Sequence, residues 1–226
     1  MGIGHGADIV RSGLVLHLDA ANKKSYPGTG SAWNDLSSNN NFTLNNSPTL
    51  SNGYFNFDGI NETATSVSTF PMQISNTDFT IRLVFFTNSV NSNDGMLLLG
   101  SGAFNTGGKG LELRKRGTSN LEFAVSDGIG GGIRTTIGGN YTSKWTDLCI
   151  TFKKSTESKF YINGLFGSTT SYSGEINITD TYTFTIGCGA DSFFPGSISN
   201  VSLYNRILSE TEIKQNFEAI RGRYGI

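Results

Sequence analysis

The side chains that could do chemistry in this chain are few and scattered. Among 226 residues there are two histidines, His5 and His17, and two cysteines, Cys149 and Cys188. A nucleophile needs a base or a cation held beside it to become reactive. Neither cysteine has a histidine or basic residue next to it, so nucleophilic catalysis finds no support. His17 stands among Leu14, Leu16 and Leu18, where a packed or polar-face imidazole is expected rather than a ligand or a base. Binding of a sugar asks for less, an exposed aromatic ring beside polar side chains. Tyr141, Tyr172 and Tyr182 lie near loop signals, with Asn140 beside the first, and these four are the candidate ligand-binding residues; core or rim packing is the alternative for each. Phe193–Phe194 is expected to plug an edge of the core. The glycine-rich tract from Asp127 to Asn140 joins no strand to a helix, which argues against a phosphate cradle. Glycine there would permit close approach of a neighbouring subunit, and a surface loop or a pair of glycine-weakened strands is the alternative.

The elements that must position these residues read as short strands. Leu14–Leu18, Tyr54–Phe57, Phe79–Phe86, Met96–Leu99, Leu111–Arg114, Leu121–Val125, Leu148–Phe152, Phe160–Ile162, Thr183–Ile186 and Ile198–Tyr204 carry apolar, β-branched or aromatic runs. Clusters of Gly, Asn, Ser and Asp separate them and supply turn chemistry. Phe79, Ile81, Leu83 and Phe85 make one face of their strand fully apolar, as a central strand requires. Asn163–Gly164 tolerates the two positive φ angles of a type I′ hairpin turn. Leu111 and Leu113 must share a face with Leu121, Phe123 and Val125, which demands an odd loop, Gly117-Thr118-Ser119. That register sets Arg116 opposite Asn120 and Arg114 opposite Glu122, predicting a cross-strand ion pair. The dense basic run Arg114-Lys115-Arg116 is expected to be a solvated turn. One helix is predicted over about 209–220: Ser209 and Glu212 form a capping box, Leu208 and Ile213 a hydrophobic staple, and Ile213, Phe217 and Ile220 one apolar face. Residues 34–52 read as a long surface connection.

Length and punctuation indicate a single all-β domain over 12–226, a sandwich or jelly roll, preceded by an amino-terminal arm, 1–11. The formal net charge is −1 with both signs interspersed, which excludes a nucleic-acid or anionic-membrane footprint. No run approaches the roughly 18 apolar residues of a membrane helix. The first residues show no basic start followed by an apolar stretch, so synthesis in a cytoplasm without a signal peptide is expected. Position 6 is Gly, not the Ser or Thr of a myristoylation motif. Cys149 and Cys188 are expected as free thiols in strands, since a reducing compartment disfavours their pairing.

Ser12-Gly-Leu-Val-Leu-His-Leu-Asp-Ala-Ala21, Tyr26-Pro-Gly-Thr-Gly-Ser-Ala-Trp-Asn-Asp-Leu-Ser37, Phe55-Asn-Phe-Asp-Gly59, Trp145 to Phe152, Lys159 to Gly164 and Phe194 to Glu210 stand in a telling order. Together they resemble the laminin G-like branch of the concanavalin A-like lectin/glucanase superfamily, in the form found in tailed-phage structural proteins. The resemblance implies two antiparallel sheets with the first and last strands adjacent, and it makes Trp33 and Trp145 framework residues. It further implies a non-enzymatic virion protein, a capsid decoration or fibre-associated module attaching to capsid or tail subunits and able to form homo-oligomers. A carbohydrate-binding adhesin that recognises host surface glycans is the alternative. Glycan hydrolases of the superfamily need two carboxylates flanking the scissile bond. The pattern Glu-x-Asp-x-x-Glu is absent, and Glu112 and Glu122 share a polar face in this register, but Arg114 stands opposite Glu122 and makes an ion pair the simpler account. No cofactor is expected apart from calcium, which laminin G-like domains hold with a loop Asp and carbonyls; Asp94, Asp127 and Asp191 are the candidate metal ligands.

Overall fold

Alternating apolar side chains bury one face of each extended segment, and two such faces can satisfy each other only by stacking sheet on sheet. The computed structural model describes residues 8–69, 77–91, 93–101, 108–129, 132–173 and 181–226, and within them two eight-stranded antiparallel sheets. The strands in chain order are β1 Leu14–Asp19, β2 Ala32–Trp33, β3 Phe42–Asn45, β4 Thr49–Ser51, β5 Tyr54–Asp58, β6 Thr63–Ser66, β7 Phe79–Phe86 and β8 Asp94–Gly100. They continue with β9 Lys109–Arg116, β10 Asn120–Asp127, β11 Gly132–Gly138, β12 Thr146–Lys153, β13 Glu157–Ile162, β14 Leu165–Ser171, β15 Phe184–Ile186 and β16 Pro195–Tyr204. Sheet A runs β14-β13-β12-β7-β16-β5-β4, with β1 also paired to β16. Sheet B runs β11-β10-β9-β8-β15-β6-β3-β2. First and last strands are thus neighbours, as the family framework implies.

One continuous core joins the facing sides. Leu83, Phe85, Ile150, Phe152 and Phe160 of sheet A meet Leu113, Phe123, Val125, Phe184 and Ile186 of sheet B. Phe79 stacks on Phe152 at 4.8 Å between ring centroids, and Phe123 meets Phe152 edge-on at 6.3 Å. Trp33 is fully buried here, so its indole serves packing. Phe194 enters the core while Phe193 is left 38% exposed, so only the second ring of the pair plugs the edge.

The β9–β10 hairpin has the predicted register, Arg116 opposite Asn120 and Arg114 opposite Glu122, with Arg114 Nε 3.6 Å from Glu122 Oε1. The basic run is not a solvated turn, however. Lys115 follows the inward alternation of Leu111 and Leu113 and is wholly buried. At the end of the core its ammonium meets Asp94 Oδ2 at 3.2 Å and donates to the Ser89 carbonyl at 2.7 Å. A buried cation persists only where such acceptors replace water. The glycine tract supplies one strand, β11, paired along β10. Asn163 and Gly164 adopt φ of 51° and 74°, the left-handed pair of the predicted turn. Within 34–52, short strands β3 and β4 replace the expected surface connection.

The helix α1, Glu210–Ile220, begins at the predicted cap: the Ser209 hydroxyl accepts from Glu212 N while Glu212 reaches back to the Ser209 amide. It lies over the outer face of sheet A, where Leu208 and Ile213 join Val10, Cys149, Tyr161 and Tyr204 in a second apolar cluster. The amino-terminal segment is clamped there: Val10 N donates to Asn216 Oδ1 at 2.8 Å, and the Tyr204 hydroxyl donates to Val10 O at 2.9 Å. Cys149 and Cys188 are both free thiols.

Candidate functional site

Outward-facing positions on sheet A form polar and aromatic rows because adjacent strands hold their residues in register. Asn56 on β5 pairs with Ser197 on β16, and Ser197 with Phe86 on β7. Trp145, just before β12, brings its indole to 5.7 Å from the Phe86 ring. Tyr54 on β5 approaches the same indole at 5.0 Å, and Tyr224 from the carboxyl-terminal tail at 4.8 Å. All four rings are half-buried, so each keeps an accessible part. The Tyr224 hydroxyl is 2.6 Å from Ser199 Oγ, which anchors the tail over the sheet. Burial raises the Tyr224 pKa, keeping the phenol protonated.

Beside these rings an open cleft of about 570 Å³ is lined by Asn56, Phe86, Asn88, Val90, Gly196 and Ser197. Gly196 is required there, since a Cβ at that position would lie 2.5 Å from the Phe86 carbonyl oxygen. Ser197 Oγ donates to Asn56 Oδ1 at 2.7 Å, and Asn56 Nδ2 reaches the Thr49 carbonyl at 3.4 Å. Asn88 Oδ1 accepts from the Ser143 hydroxyl at 3.0 Å. Amides and hydroxyls held at fixed positions beside aromatic rings are suited to a ligand that has both apolar faces and hydroxyl edges.

The outer face of sheet B offers a different environment. Glu112 pairs with Arg114 and accepts the Ala190 amide at 2.9 Å. Glu122 is surrounded by Arg114, Arg116 and Arg134 at 3.6, 3.7 and 3.9 Å. Both carboxylates are buried, and each is paired with the Arg114 guanidinium.

A family model described as the concanavalin A-like lectin/glucanases superfamily matches residues 58–214, more than half of the sequence. The chain belongs to this superfamily. Solved structures agree on the fold of the laminin G-like domain. The binding domain of botulinum neurotoxin serotype D superposes with TM-score 0.71 at 16% identity, over 92% of this chain and 52% of that one. The binding domain of Paraclostridial Mosquitocidal Protein 1 gives 0.71 at 17%, over 92% and 52%. A Trypanosoma rangeli sialidase gives 0.69 at 20%, over 95% and 34%. The laminin G-like domain therefore spans about half the length of the toxin domains and a third of the sialidase. A search of curated proteins finds no match.

None of the four ligand-binding candidates lines the cleft. Asn140 is exposed and caps a turn by accepting from Thr142 N at 2.9 Å. Tyr141 is 4% exposed, inside the core, with its hydroxyl on the Gly138 carbonyl and its pKa raised by burial. Tyr172 stacks on Phe152 at 5.7 Å, and its hydroxyl accepts the Ser155 amide. Tyr182 packs half-buried against the core. Of the metal candidates, Asp94 is buried against Lys115, Asp127 accepts the Ile129 amide in a turn, and Asp191 contacts Asn93 and Arg114. Among the described residues no three His, Cys, Asp or Glu side chains are grouped as a metal would require. No helix of the described residues is long and apolar enough to cross a membrane.

Asn56, Asn88 and Ser197 carry no signal of their own in the sequence. Phe86 breaks the alternation of β7 by placing an aromatic ring on its outer face, and that departure was the one available hint.

Proposed function

We propose that the laminin G-like domain is a non-enzymatic recognition module that binds carbohydrate in the cleft beside Trp145. The carrying observation is the row Asn56–Ser197–Phe86 with Trp145 at its end, which sets amide and hydroxyl groups next to half-exposed rings. A pyranose has the matching character, apolar C–H faces for the rings and hydroxyls for the amides. Two neighbours in fold are themselves described as binding domains, which is compatible with a recognition role. The arginine-bound state of Glu112 and Glu122 supports binding without hydrolysis. A glycan array, read with and without calcium, tests the reading. Saturable binding is expected, weakened about tenfold or more in Asn56→Ala/Asn88→Ala, since each lost polar contact is worth roughly 1 kcal/mol. A flat response across the array, or full binding by the double variant, would overturn it.

A second reading, a capsid decoration or fibre-associated virion subunit, is favoured by β14. This strand pairs with β13 alone among the described strands, and its Leu165 and Phe166 are 69% and 53% exposed. An edge with no second partner strand among those described, carrying exposed apolar side chains, is suited to strand addition by another subunit. Quantitative mass spectrometry of purified particles tests it: a high fixed ratio to the major capsid protein is expected for a decoration, a few copies for a tail or fibre. Complete absence from particles would refute the virion reading and leave the glycan reading standing.

A further inference from the structure

A second cavity, remote in its lining from the cleft, lies between the amino-terminal segment, β1 and the end of α1. It measures about 360 Å³ and is lined among others by Asp8, Arg11, His17, Asp19, Lys24 and Arg223. Small-molecule sites start at roughly 300 Å³. The docked segment makes one wall, held through Gln215 Nε2 to the Asp8 carbonyl at 2.7 Å as well as through Val10.

His17 gives the cavity a defined polarity. Its Nδ1 lies 3.0 Å from Ser202 Oγ, and that hydroxyl donates to Asn200 Oδ1 at 3.1 Å. A hydroxyl has one proton, so with this amide orientation Nδ1 must be the donor to Ser202. The unprotonated Nε2 then lies on the opposite edge of the ring, where no residue among those described bonds it. Burial lowers the His17 pKa to about 4, so the ring stays neutral and Nε2 remains an acceptor at neutral pH. An O–H or N–H of a guest would satisfy it.

The charges around the cavity set the second requirement. Arg223 is consumed by Asp19, its NH1 donating to both carboxylate oxygens at 2.9 and 2.7 Å. Arg11 and Lys24 make no ion pair among the described residues, and Asp8 offsets one of them. Among the lining side chains three are basic and two acidic, which leaves one positive charge.

We propose that this cavity is a binding site for a small hydroxylated carboxylate, of the size and chemistry of a hexuronic acid, with a hydroxyl donating to His17 Nε2 and the acid group facing Arg11 and Lys24. The site is independent of the cleft, so either may fail without the other. The cation pair favours a guest carrying one negative charge over a neutral sugar, and the neutral imidazole favours a hydroxylated guest over a bare anion.

The test is a titration of the full chain with D-glucuronate, D-glucose and inorganic phosphate, followed by ¹⁵N resonances of the His17 ring. The chain has only two histidines, so His5→Gln leaves a single imidazole to read. Saturable movement of Nε2 with glucuronate is expected, with affinity about tenfold weaker in Arg11→Ala/Lys24→Ala and for glucose. Both substituted side chains are exposed, so the variant should fold; circular dichroism checks that it does. Asn56→Ala/Asn88→Ala should leave the titration unchanged. No saturable shift with glucuronate overturns the proposal, as does equal affinity for glucose or for phosphate.

Discussion

His17 carries a consequence for stability as well as for binding. In the unfolded chain its ring protonates near 6.5, whereas in the fold burial chiefly, with Arg82 and Arg223 nearby, holds it to about 4 against the opposing pull of Asp19 and Asp35. The unfolded state therefore binds more protons between these values, so stability must fall as pH drops from 6.5 toward 4 and level off below. The slope is at most about 1.4 kcal/mol per pH unit, the full value for one proton. Urea midpoints at pH 7 and pH 5 should differ in the wild type and converge in His17→Gln; an unchanged difference in the variant would assign the effect to other groups. Arg82 and Asp147, buried on the side of sheet A that α1 covers at Cys149 and Tyr204, are joined by two hydrogen bonds of 2.8 and 2.6 Å. Neither could be recognised as buried from the sequence, because an Arg on the second face of an apolar strand reads as its solvent side. The helix covering makes that face interior.

At the scale of elements, local rules carried furthest where the partner was close in sequence. The β9–β10 hairpin followed from side-chain alternation plus a three-residue loop, and the Asn163–Gly164 turn from backbone sterics alone. The capping box of α1 was equally legible. Glu212 also takes two hydrogen bonds from Arg206, at 2.9 and 2.6 Å, and that pairing, together with the Ser209 contacts, lowers its pKa to about 2. Ser209→Ala removes one of the two reciprocal bonds while leaving the Arg206 pair in place. It should cost about 1 kcal/mol in urea unfolding with an unchanged denaturant slope. A loss near zero would mean that Arg206 and the staple alone fix the helix start. At this scale the basic run escapes a local reading because Lys115 obeys the inward alternation of its strand, and its partners, Asp94 at the start of β8 and Ser89 in the connection before it, lie more than twenty residues away.

At the scale of the whole molecule, three distant segments are brought onto one face of sheet A. The amino-terminal segment, α1 and the carboxyl-terminal tail each contribute a wall or a lid. Arg223 closes the small cavity by holding Asp19, and the next residue, Tyr224, covers Trp145 beside the cleft. The sequence by itself determined the all-β class, ten of the sixteen strands, and the helix with its cap, because these rest on alternation, turn sterics and caps that act within a few residues. The tyrosines nominated as a sugar platform illustrate the limit: Tyr141 stands beside loop residues in sequence yet sinks into the core. Only the tertiary structure decided which face of each sheet is covered and which polar rows line up across strands as far apart as Asn56 and Ser197. Register between such strands is set by the packing of the entire core, so no local pattern in the chain encodes it.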